Sequence, residues 1–69
     1  MSSKDFLLQV AKDMGKKPED FQKYLDILED NMIDTVESLG QLTEEELRKD
    51  LNFPLGLVKA IIKSLAGQS

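Results

Sequence analysis

The sequence predicts an all-α fold: a compact five-helix bundle that closes with a long C-terminal helix. Three observations predict it. Apolar residues recur at spacings of three and four along successive segments. Pro and Gly fall between those segments rather than inside them. No stretch alternates apolar and polar residues for long enough to make a strand.

The first helix is read from Ser3 to Met14, with Phe6, Leu7, Val10, Ala11 and Met14 as its apolar stripe. Gly15 stands where helices commonly end in the left-handed conformation. The second opens at Pro18, which suits a first helical position because its missing N–H has no helical partner there. Glu19 and Asp20 favour the positive helix start, Phe21, Tyr24, Leu25 and Leu28 form the stripe, and Asn31 can close it. Asp34 followed by Glu37 reads as a capping box opening a short third helix through Val36 and Leu39, stopped by Gly40. Thr43 followed by Glu46 is a second such box, starting a fourth short helix through Leu47 that Asn52, Phe53 and Pro54 break. The last helix runs from Leu55 to about Ala66, where Gly67 ends it.

Such short helices must share one core. Its expected members are Phe6, Val10, Phe21, Leu25, Leu28, Ile33, Val36, Leu39, Leu42, Leu47, Leu51, Val58, Ile61 and Leu65. One domain spanning residues 1–69 is expected, ordered over about 4–66, with Met1 to Ser3 and Gly67 to Ser69 as frayed ends.

Composition excludes several kinds of chemistry. The chain has no Cys and no His, hence no disulfide framework, no thiolate nucleophile and no imidazole base. A chain of 69 residues has little core from which to wall off a substrate cavity. No enzymatic activity and no cofactor are expected. No apolar run approaches a membrane span or a secretory signal, so membrane insertion is not expected and the chain is placed in the cytoplasm or nucleus.

The net charge of −4 argues against broad nucleic-acid binding, but its distribution says more. Residues 1–25 balance to +1 and residues 47–69 to +3. Residues 26–46 carry eight acids and no basic residue: Asp26, Glu29, Asp30, Asp34, Glu37, Glu44, Glu45 and Glu46. Those acids either keep a surface solvated or form a binding surface. Asp26 with Asp30 at helical spacing is a solvated pair rather than an acid–base couple. The twelve residues from Asp30 to Gln41 lack the ladder, the central Gly and the closing Glu of a calcium loop.

The last helix is apolar over an unusually wide arc, through Leu55, Leu57, Val58, Ala60, Ile61, Ile62, Leu65 and Ala66. Val58, Ile61, Ile62 and Leu65 are read as its core face. Two readings of the remainder stay open. The helix is central and buried all round, or Leu55 and Leu57 are exposed beside Gly56 as a contact patch ringed by Lys59 and Lys63.

From Tyr24 onward the chain resembles a sterile alpha motif (SAM) domain. The residues that carry the resemblance are Tyr24, Leu28, Asn31, Ile33 and Asp34, then the run Leu42-Thr43-Glu44-Glu45-Glu46-Leu47, then Leu55-Gly56 with Ile61 five residues later. It departs from the family pattern at Thr35, where Gly is usual. It departs again at Asn52, which stands for a Gly whose positive φ Asn tolerates, and at Leu57 and Val58, where His and basic residues are common. The resemblance implies a protein–protein interaction module, of the adaptor, scaffold or signalling kind, that associates with another SAM domain, its own copy or a different one. The acidic positions would form a mid-loop surface. Leu55, Gly56, Leu57, Lys59 and Lys63 would form the end-helix surface. The alternative is RNA or DNA binding, as in some SAM and helix-hairpin-helix modules, but only Lys59 and Lys63 follow the Gly56 turn and no aromatic platform accompanies them. Six-helix death-fold adaptors usually have longer chains.

Overall fold

A computed structural model describes residues 1–67. The predicted all-helical bundle is present: α1 spans Ser3–Asp13, α2 Gln22–Asp30, α3 Val36–Gly40 and α4 Leu55–Ala66. A 3-10 turn, Pro18–Phe21, leads into α2, and a π-helical turn, Glu46–Asp50, supplies the remaining helix. The expected fraying of Gln68 and Ser69 falls outside the described residues.

α1 begins where Ser2 caps it, its Oγ accepting from the Asp5 N–H at 3.0 Å. It buries Phe6, Leu7, Val10 and Ala11. It ends as predicted, with Gly15 at φ 72°. The Lys16 N–H donates to the Ala11 carbonyl (2.8 Å) and the Gly15 N–H to that of Lys12 (3.0 Å), which is a Schellman closure.

α2 closes in the same way, on Asn31 as the sequence suggests. Asn31 is the cap, at φ −98°. Met32 takes the left-handed position at φ 58°. The Ile33 N–H reaches the Leu28 carbonyl (2.8 Å) and the Met32 N–H that of Glu29 (3.0 Å). The Asn31 side-chain amide also donates to the Ile27 carbonyl, at 2.8 Å. The closure brings Ile33 onto Leu28, and both are buried. A non-glycine residue in this conformation costs roughly 1–2 kcal/mol, since its Cβ crowds the following carbonyl.

Two helix starts differ from expectation. Pro18 opens a 3-10 turn rather than α-helix, and Phe21, the last residue of that turn, is buried in the core before α2 begins. Thr35, not Asp34, caps α3: its Oγ1 accepts from the Ser38 N–H at 3.1 Å. The chain is extended at Thr35 because that residue is paired across to Ser2.

The Thr43 capping box forms as read. The Thr43 N–H donates to Glu46 Oε1 (2.9 Å), and the Glu46 N–H donates to Thr43 Oγ1 (3.1 Å). The turn it opens then widens, with the Leu51 N–H reaching back to the Glu46 carbonyl at 3.0 Å. Asn52, at φ 57°, ends it in the role foreseen for a Gly substitute.

The beginning of the chain is held rather than frayed. The Ser3 N–H donates to the Asp34 carbonyl (2.9 Å) and the Val36 N–H to that of Met1 (3.3 Å). Ser3 is 1% exposed, and its hydroxyl donates to the Ile33 carbonyl. The loop joining α2 to α3 is thereby tied to the start of α1.

Most of the expected core is buried, joined by Leu7, Ala11, Phe53 and Leu57, while Val36, Leu42 and Leu65 pack at its edge. Tyr24 stands edge-on to both Phe21 and Phe53, with ring centroids 5.3 Å apart in each pair. Phe53 thus pins the turn before α4 to the entry of α2. The core side of α4 is Leu57, Val58 and Ile61, and Ile62 lies outside it. Leu57 and Ile61 are one turn apart with Val58 beside them, so the buried arc centres near Ile61 and leaves Ile62 at its rim.

Candidate protein-interaction surface

The eight acids are not equivalent once folded. Glu46 is half-buried, with its carboxylate held by the Thr43 N–H in the capping box. Glu29 pairs with Lys4 (3.2 Å), Glu45 with Lys49 (3.0 Å) and Glu44 with Lys59 (3.3 Å). Asp26 accepts from the Gln22 side-chain amide at 3.0 Å. Asp30, Asp34 and Glu37 remain exposed, with no ion pair or side-chain hydrogen bond among the described residues. Within this block the carboxylates with neither kind of partner therefore lie close together, at residues 30–37, on the segment that Ser3 and the Met32 closure hold in place. No three carboxylates among the described residues converge as metal ligands would.

On α4 the structure divides the predicted patch. Leu55 is 53% exposed, whereas Leu57 is 2% exposed and belongs to the core. Leu57 is corrected from contact residue to core residue, because it lies one turn before Ile61 on the buried side. Its place on the surface is taken by Ile62, 39% exposed, which helical spacing puts on the same face as Val58 and Ile61. Leu55, Lys59, Ile62 and Lys63 recur along one side of the helix.

The start of α4 has no side-chain cap and no acid in its first turn. Its leading N–H groups and positive end are open to an anion. A Cβ built on Gly56 meets nothing within 4 Å, so neither space nor backbone conformation requires glycine there. Lys59 is turned toward Glu44, joining the acidic block to the last helix within one molecule. Lys63 borders a groove of about 450 Å³ between α1 and α4, lined also by Val10, Asp13, Met14, Ala60 and Ser64.

The sequence that folds into these elements, from the 3-10 turn through α4, is matched by a family description. The SAM domain (sterile alpha motif) pattern covers residues 17–66 of the 69. The chain belongs to the SAM domain family. No curated protein and no solved structure matches it significantly. SAM domains are generally protein-interaction modules without catalytic activity, and they often bind other SAM domains. In this SAM domain no helix among the described residues is long and apolar enough to cross a membrane.

The sequence points to the acidic block and the last helix as candidate surfaces. It did not single out Met32, which is 80% exposed between Asp30 and Asp34. An apolar residue between acids, directly after the helix-closing Asn31, was the signal available.

Proposed function

We propose that this SAM domain binds another SAM domain, its own copy or a different one. Its acidic loop, centred on Asp30, Asp34 and Glu37, would meet the open start and exposed side of the partner's last helix. The corresponding face of this chain is Leu55, Gly56, Lys59 and Lys63. One observation carries the proposal: of the eight acids in residues 26–46, the three with no ion pair or side-chain hydrogen bond among the described residues, Asp30, Asp34 and Glu37, lie together, while α4 begins with no cap and no acid. Oriented N–H groups and lysines complement carboxylates, and burying the adjoining apolar side chains supplies affinity. Glu29, Glu44 and Glu45 contribute less, because lysines of the same molecule already neutralise them. Nucleic-acid binding draws less support: Lys59 faces Glu44, which leaves Lys63 as the unpaired lysine of that helix side among the described residues.

Asp30→Lys is the test. It reverses charge at an exposed site with no internal partner, so the fold is expected to be unaffected. Sedimentation of wild type and variant, alone and mixed with a candidate SAM partner, should show the variant's complex weakened about tenfold, with a smaller loss at high salt. Equal masses for both proteins under all these conditions would contradict the proposal.

A further inference from the structure

The exposed side of α4 fits a second copy of this chain, and we infer that Met32 is the apolar anchor that seats the contact. The inference rests on the association reading above and adds its occupant and its anchoring residue.

Two properties of Met32 work against the isolated fold: a side chain 80% exposed and a backbone at φ 58°. The equivalent closing position after α1 is Gly15, and the one after the π turn is Asn52. Both of those residue types tolerate positive φ. Folding alone would favour Gly at position 32 as well. The sequence instead places there an unbranched, adaptable apolar side chain of a kind well suited to contact surfaces. It lies between Asp30 and Asp34, and the bonds from Ser3 and the helix closure fix the loop that presents it.

The other large apolar side chains left exposed are Met1, Leu55 and Ile62. Leu55 and Ile62 share one side of α4 with Lys59 and Lys63, and α4 contains no acid. One surface therefore offers an apolar group between carboxylates. The other offers two apolar groups between ammonium groups. They match in charge sign and in apolar contact, and both belong to the same chain. Lys59 would exchange Glu44 for a carboxylate of the incoming copy, and its present pair is exposed and correspondingly weak. Because the two surfaces use different residues, the contact is head to tail and leaves one of each kind open at the ends.

Sedimentation velocity across a concentration series tests this. Wild type should gain mass with concentration. Met32→Gly should weaken self-association about tenfold or more, with its melting temperature unchanged or raised, since Gly suits the left-handed position. Met32→Leu should associate within about threefold of wild type, being apolar and of similar volume. The double variant Leu55→Ser with Ile62→Ser should stay monomeric. Mixed with Met32→Gly it should form a dimer, since each variant keeps one intact surface. Met32→Gly associating as tightly as wild type, a mixture that stays monomeric, or wild type monomeric throughout would each overturn the inference. If Asp30→Lys weakens association while Met32→Gly does not, the anchor is wrong and the acidic-loop reading survives. If wild type self-associates and neither change matters, both fail.

Discussion

Gly56 shows what a single residue without a structural reason can reveal. Nothing within 4 Å would meet a Cβ there, and its backbone is ordinary helix. Ala in the first turn of α4 should therefore raise stability, by about 0.5 kcal/mol. If Gly56 serves close approach by a partner, Gly56→Ala should at the same time weaken association. Denaturant titration reads the first effect and sedimentation the second, and a gain in stability with unchanged association would remove Gly56 from the contact. Ser3 is the opposite case. Its role is structural and is not legible in the sequence, because a serine near the beginning of a chain carries no periodic signal. Only the long-range pairing with residues 33 and 34 makes it a buried residue.

At the scale of elements, local chemistry was legible and three-dimensional neighbours were not. Gly15, Asn52 and the Thr43–Glu46 box act through bonds within a few residues of themselves, and each was read correctly. Asp34 was misread as a cap because Glu37 sits three residues on. The pairing of Ser2 with Thr35, set by distant parts of the chain, moved the cap by one residue. Leu57 and Ile62 exchanged places for a similar reason: a helix apolar over so wide an arc does not announce which side faces the core. The π turn is the element most dependent on its cap, having only five residues. Thr43→Ala should cost about 1 kcal/mol, read as a lowered denaturant midpoint with unchanged slope. Because that turn carries Leu47 into the core, the loss is expected to be global rather than confined to local fraying.

The whole molecule has a radius of gyration of 10.7 Å, close to the roughly 11 Å expected of a compact chain of this length. Its stability comes from one apolar core, and the three ion pairs among the described residues are all between exposed side chains. Such pairs typically contribute about 0–1 kcal/mol each, and salt screens them. Folding and association should accordingly respond differently to ionic strength. Raising salt from about 0.05 to 0.5 M is expected to leave the melting temperature nearly constant while weakening association several-fold. Parallel thermal melts and sedimentation runs check this, and an association indifferent to salt would point to a contact made by apolar groups alone.

Met1 and Gly67 border the same shallow hollow beside Phe6 and Val10. These two residues therefore stand on one side of the fold. The domain could thus be spliced into a surface loop of another protein through two short linkers without stretching its helices. Held at a single point in this way, it would swivel rather than be pulled taut. A solubility tag at either end would occupy the same quarter of the molecule.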